Sequence, residues 1–214
     1  MTVITIEYQM GCGGRDIGHM LARHMQLTYM DREIVQGVAQ ELHISEDAAE
    51  QHDERVEGAL MRMLTLLSLS GDMAWMTHED QAGAIVDEQV YHSTTTRVIR
   101  AAAERDQVVI VGHGAGFALA RHPGVLRVGL YAPAEQRIAT VMARNQIDRA
   151  AAQQRITQSD QERCRYIKRF YQTNWREPDH YDLMLNSALF PAEQVAELIA
   201  WTWQTSHPAP VGSP

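Results

Sequence analysis

Three glycines fall within four positions, Gly11, Gly13 and Gly14, and Arg15 and Asp16 follow at once. The chemistry such a run supports is the holding of an anion. Glycine adopts positive φ without a Cβ clash, so successive backbone N–H groups can turn toward one point. A helix that starts there adds its partial positive charge. The surroundings fit. Thr2 to Ile6 is a β-branched run that reads as a buried strand, and Ile17, Met20, Leu21 and Met25 recur at helical spacing after the loop. Strand, glycine loop and helix in that order make the βα unit that binds phosphates. Without that context GCGGRD would read as an ordinary turn.

The common phosphate-loop pattern is G-x-x-x-x-G-K-[ST]. Here Arg15 stands at the lysine and Asp16 at the hydroxyl if Gly14 is taken as the second glycine, and Gln9 replaces the first. Arg15 can supply the missing charge, with a bidentate preference for phosphate. Asp16 caps a helix N-terminus well, but it repels a phosphate unless it holds Mg²⁺ directly or through water. Cys12 is open to a lowered thiol pKa at a helix start; with no paired base it reads as a small loop residue.

The elements that must position these groups alternate along the chain. Strands are expected at 2–6, 27–30, 107–111, 125–131 and 181–186. Helices are expected from Ile17, over 34–42, from Ser45 as an N-cap, over 56–69, over 81–104, from Pro133 to Asn145, over 147–175 with a break near Thr157 to Ser159, and over 191–203. Strands alternating with helices imply a parallel sheet with helices on both faces. One domain over 1–205 is expected, with a disordered tail over 206–214. The apolar 56–69 helix is wider than one stripe, which suits burial on two sides or a homo-oligomer contact.

Bulk properties narrow the function. With 19 basic and 27 acidic residues the net charge is −8, which argues against nucleic acid or an anionic membrane as partner. The two cysteines, Cys12 and Cys164, are too few for a disulfide scaffold. No signal-peptide pattern or membrane-length apolar run is visible, so a cytoplasmic protein is expected. His43, His52, His78 and His92 have no zinc spacing.

The chain resembles the cytidylate kinase-like proteins, relatives of the nucleoside monophosphate kinases. The resemblance is carried by Ile4-Thr5-Ile6 with Gly11 to Ile17, Tyr29-Met30-Asp31-Arg32-Glu33-Ile34, Val109 to Ala115, Leu130-Tyr131-Ala132-Pro133 with Arg137, Asp160 with Arg163, and Trp175, Pro178, Tyr181-Asp182-Leu183 with Asn186. It implies a P-loop kinase-like three-layer α/β fold with a central five-stranded parallel sheet. It further implies ATP and Mg²⁺, a helical substrate-side insertion after strand 2 (33–104), and a helical lid before strand 5 (147–175). Three departures stand out. Glu7-Tyr8 replaces a usual Ser-Arg, Gly112-His113-Gly114 replaces Gly-Arg-Gly, and the lysine of true cytidylate kinases is missing.

Phosphoryl transfer needs positioning and charge more than covalent chemistry. Residues Gly11, Cys12, Gly13, Gly14, Arg15 and Asp16 are therefore expected to hold the nucleotide phosphates, with Asp16 toward the metal. Arg15 and Arg163 are the expected catalytic cations, with Arg155 and Lys168 as weaker ones. For Arg163 an i,i+3 ion pair with Asp160 is the structural alternative. Asp31, Arg32 and His113 are expected on the acceptor. Asp31 ends a strand on the carboxyl side, where ligands bind; there it could orient Mg²⁺ or the acceptor, or simply cap the next helix. The expected function is ATP-dependent phosphoryl transfer to a small acceptor, a nucleoside monophosphate by resemblance. A weak or inactive nucleotide-binding regulator of the same fold is the alternative.

Overall fold

The computed structural model describes residues 2–43, 46 and 88–207. Strand β1 (Val3–Tyr8) leads through the glycine loop into helix α1 (Gly14–Met25), then β2 (Thr28–Met30) and α2 (Arg32–Leu42). Helix α3 (Glu88–Glu104), β3 (Val108–Val111), the short α4 (Ala115–Ala118) and β4 (Val125–Tyr131) follow. Helices α5 (Ala134–Asn145) and α6 (Arg149–Tyr171), a 3-10 turn (Pro178–His180), β5 (Leu183–Asn186) and α7 (Ala192–Ser206) complete the chain. The expected helices at 45 and 56–69, the oligomer contact assigned to 56–69, and the tail beyond 207 lie outside the described residues.

The five strands form one parallel sheet in the order β2-β3-β1-β4-β5. Its core strands carry apolar residues at consecutive positions because both faces are covered. Ile4, Ile6, Val109, Val111, Leu126 and Val128 face α1 and α7, where Ile17, Leu21, Val195, Ile199 and Trp203 complete the layer. Val3, Val108 and Ile110 face the other way, onto Ile34, Ile99, Ala102, Ala115 and Leu119 of α2, α3 and α4. The period of two along each strand thus divides the side chains between two cores.

This topology places the site. β1 and β3 are neighbours, yet the helix leaving β1 packs on one face and the helix leaving β3 on the other. The diverging connections open a crevice at the carboxyl ends of the strands.

Helix α6 spans that end of the sheet. Ala152 and Ile156 pack on Ile138 and Val141 of α5, and Ile167 packs on Phe117 and Trp175. The expected break near Thr157 to Ser159 is absent, because α6 is one helix of 23 residues. The Thr157 hydroxyl donates to the Gln153 carbonyl at 2.9 Å, and Ser159 is buried. Both polar side chains are accommodated along the helix instead of ending it. Near the far end of α6, His92 of α3 stacks on Phe170 at 4.1 Å between ring centres. Its Nδ1 lies 2.9 Å from the Tyr166 hydroxyl. At the chain's other end His207 stacks on Trp203, continuing the order of α7 by one residue.

Candidate functional site

The glycine loop has the geometry of a nest. Gly11 and Gly13 have φ of +89° and +74°, and Gly13 is the N-cap of α1. The first intrahelical bond runs from Ile17 N–H to the Gly13 carbonyl at 3.0 Å. The N–H groups of Gly14, Arg15 and Asp16 therefore have no acceptor within the helix and stand at its positive end. Neighbours fix the loop from both sides. Cys12 N–H donates to the Gln9 carbonyl at 3.1 Å, and the Ser187 hydroxyl donates to the Cys12 carbonyl at 2.9 Å. A Cβ on Gly11 would lie 2.7 Å from the Arg137 carbonyl oxygen, and one on Gly14 would lie inside the contact distance of the Tyr8 ring.

A cavity of about 450 Å³ opens from this loop toward the strand ends and α6. Arg15 from α1, Arg144 from α5, and Arg155 and Arg163 from α6 reach its wall. Glu7, Asp31, His113 and Glu162 line it as well. The cations stand around the glycine loop and α6, while Glu7, Asp31 and His113 stand at the ends of β1, β2 and β3.

Asp31 is the hub of the strand-end side. It occupies the N-cap position of α2, but its carboxylate makes no capping bond. One oxygen accepts from Arg15 Nε at 2.8 Å and from the Tyr29 hydroxyl at 3.3 Å; the other faces His113 Nε2 at 3.2 Å. Burial alone would raise its pKa. The His113 hydrogen bond, the Arg15 charge and the Tyr29 hydroxyl outweigh burial and hold the carboxyl below its usual range. Asp31 N–H is taken instead by the Glu33 side chain at 3.0 Å. Asp31 therefore caps by position only, and its carboxylate is directed to Arg15, Tyr29 and His113.

Arg163 turns into the cavity. Its guanidinium donates to the Tyr8 carbonyl and lies 5.2 Å from the centres of both the Tyr8 and Trp175 rings. It stands 3.9 Å from the buried Glu7 carboxylate. Burial pushes the Glu7 carboxyl up, and Arg163 and the Gly116 N–H only partly counter this. The alternative pairing of Arg163 with Asp160 is not formed. Asp160 takes Arg137 through two bonds, 2.7 and 3.0 Å, and Arg176 at 3.1 Å.

The other expected residues divide. Asp16 forms an ion pair with Arg144, so the carboxylate expected for a metal is engaged by a cation. Arg32 is exposed at the start of α2 and lies outside the cavity lining. Cys12 is buried, and burial pushes its thiol up, in keeping with its reading as a small loop residue. Lys168 lines a separate groove along α5 and α6. Arg144 and Glu7 were not expected at the site. Arg144 is seven residues after Arg137, hence on the same face of α5. That periodicity was the available signal, but it does not say which face meets the loop.

The chain belongs to the cytidylate kinase-like family, whose model matches residues 3–189. Among solved structures it is similar to an uncharacterized protein from Eubacterium ventriosum, with a TM-score of 0.68 at 17% identity over 96% of this chain and 99% of that one. It is also similar to shikimate kinase from Acinetobacter baumannii in complex with shikimate, with a TM-score of 0.53 at 13% identity over 97% and 95% of the two chains. Shikimate kinase from Bacteroides thetaiotaomicron gives 0.52 at 15%, over 96% and 97%. These likenesses establish the P-loop kinase fold. A uronate isomerase from Corynebacterium glutamicum is 27% identical over 106 residues, which is 50% of this chain and 20% of that protein. The chain thus spans about a fifth of the length of that relative. No helix among the described residues is long and apolar enough to cross a membrane.

Proposed function

We propose that the protein transfers a phosphoryl group from ATP to a small acceptor, a nucleoside monophosphate in keeping with its family. One observation carries this reading: the glycine loop and four arginines from three different helices converge on a single cavity. Such convergence is what a transferring phosphate requires, since its charge must be held on several sides at once.

The loop fits a nucleotide's phosphates on its own geometry, with positive φ at Gly11 and Gly13 and unpaired helix N–H groups beside them. When bound, ATP would supply the phosphoryl group and Mg²⁺ would neutralise its charge. Mg²⁺ is commonly held by one or two carboxylates plus the phosphates themselves. Asp16 is the carboxylate the sequence offers for that role; it lies beside the glycine loop but outside the cavity lining, and it would have to exchange its Arg144 partner. Arg15 and Arg163 would meet the phosphates, and Asp31 and His113 the acceptor.

A second reading is a nucleotide-binding regulator that does not turn over. The lysine is missing, and the resting partners of Arg15 and Asp16 are Asp31 and Arg144. ADP release with ATP and Mg²⁺ across a panel of nucleotides tests the first reading. Thermal stabilisation by ATP without turnover supports the second. Neither turnover nor stabilisation rejects both.

A further inference from the structure

Gly112, His113 and Gly114 have φ of +77°, +56° and +68°, a left-handed run at the end of β3 with a non-glycine residue at its centre. Left-handed backbone at such a residue is strained and persists only where the surroundings hold it. Here the imidazole is held: His113 Nε2 meets Asp31 Oδ1 at 3.2 Å, and the two side chains are 7% and 8% exposed. An ionised carboxylate only accepts, so Nε2 carries the proton and Nδ1 is the nitrogen that gains a second one. The other Asp31 oxygen holds Arg15, whose side chain is 60% exposed beside the glycine loop. One carboxylate thus holds the buried imidazole and the exposed guanidinium, with the Tyr29 hydroxyl as a third partner.

We propose that His113 is a positioning residue that acts on Arg15 through the shared Asp31 carboxylate, so that anion binding at the glycine loop and protonation of His113 favour each other. The proposal rests on the reading of that loop as a phosphate site. When Arg15 turns to an anion, Asp31 keeps a buried negative charge with one partner fewer, and a protonated His113 restores the balance. When His113 is neutral, Asp31 retains Arg15. By linkage, whatever the anion does for the proton, the proton does for the anion. Among the described residues, the charged or titratable groups facing His113 are Asp31 and Tyr29 from the end of β2, Glu7 and Tyr8 from β1, and Arg15 from α1. From α6, Tyr166 and Tyr171 approach the adjacent Gly114, and Arg163 and Glu162 share the cavity. Arginine in this position would carry a permanent charge, and histidine makes the same charge conditional.

Two measurements on the full chain test this. The His113 imidazole is titrated by NMR without ligand, in wild type and in Arg15→Ala. Removing the competing cation is expected to raise the imidazole pKa by about one unit; an unchanged value overturns the proposal. Calorimetry then follows inorganic pyrophosphate binding near pH 6 and near pH 8.5 in wild type and His113→Gln. The ligand's own protonation is common to both proteins. Wild type is expected to gain about tenfold more affinity at the lower pH than the variant does, the equivalent of one pKa unit; equal slopes overturn the proposal. Should His113→Gln fail to fold, His113→Asn takes its place, since Asn tolerates left-handed backbone. If pyrophosphate binds at neither pH while Arg15→Ala still moves the imidazole, the coupling stands and the phosphate reading falls.

Discussion

The guanidinium of Arg163 stands 3.9 Å from the carboxylate of Glu7, which is only 3% exposed at the end of β1. A carboxylate so deeply placed is costly, and Arg163 is its cation. Position 7 thus holds a buried acid, and an arginine two-thirds of the way along α6 meets it. This pairing ties the helix that roofs the cavity to the strand beneath it.

Removing Arg163 should therefore cost stability as well as any ligand affinity. Arg163→Ala leaves the Glu7 carboxylate without its partner, a loss of roughly 2–4 kcal/mol for a buried charge. In urea denaturation the double variant with Glu7→Gln is expected to recover much of that loss. Strictly additive effects would show that the two residues do not interact.

Glu7 also predicts a pH dependence. Burial raises its pKa in the folded protein, so the fold binds this proton more tightly than the unfolded chain does. Its favourable contribution is present below the unfolded carboxyl value and is lost as pH rises through the folded one. Glu7→Gln should thus melt higher than wild type at neutral pH, with the gap closing as pH falls toward the ordinary carboxyl range. A gap that widens on acidification would contradict the assignment.

Asp31 carries the opposite sign. Its carboxyl is held below the usual range by His113, Arg15 and Tyr29 in spite of burial. Its contribution is present above the unfolded value and lost as pH falls through the depressed one. Asp31→Asn should destabilise at neutral pH by about 1–3 kcal/mol, the cost of removing a buried hydrogen-bonded charge, and the gap should close as pH falls below the ordinary carboxyl range. Melting curves across that range are the check.

The two glycines of the loop with positive φ should respond unequally to a methyl group. Gly13→Ala meets open space apart from Ile17 at 3.9 Å, so only the left-handed backbone is penalised, by about 1 kcal/mol. Gly11→Ala meets the Arg137 backbone at 2.7 Å, where nothing flexible can yield, and should lose about 2–4 kcal/mol. Equal midpoints in urea would refute the close approach.

Asp160 ranks its two arginines. Arg137 is buried, binds both carboxylate oxygens and donates to the Met10 carbonyl at 2.7 Å. Arg137→Ala is expected to lose roughly 3–5 kcal/mol. Arg176 is 54% exposed, and Arg176→Ala should change stability by less than about 1 kcal/mol. Comparable losses would mean that burial does not set the strength of these pairs.

The linear chain determined a good deal by itself. Apolar runs such as Val108 to Val111 can be satisfied only between two helical layers, and the glycines at 11, 13 and 14 after a β-branched run mark the tight turn from strand to helix. Those features are local: a strand's period, a helix's spacing and a glycine's permitted φ are properties of a few neighbouring residues. The partners of the charged groups were decided elsewhere. Asp31 lies next to the helix it could cap, yet it binds Arg15 and His113. Asp160 lies one turn from Arg163, yet it binds Arg137 and Arg176. Asp16 is taken by Arg144, 128 residues away. Each choice follows from which strand ends and helix faces the sheet order brings together, and from the burial that makes one pairing stronger than another. At Gly11 to Arg15 the sequence specified a cradle. The tertiary structure brought Arg144, Arg155 and Arg163 to it and set Asp31 against both Arg15 and His113.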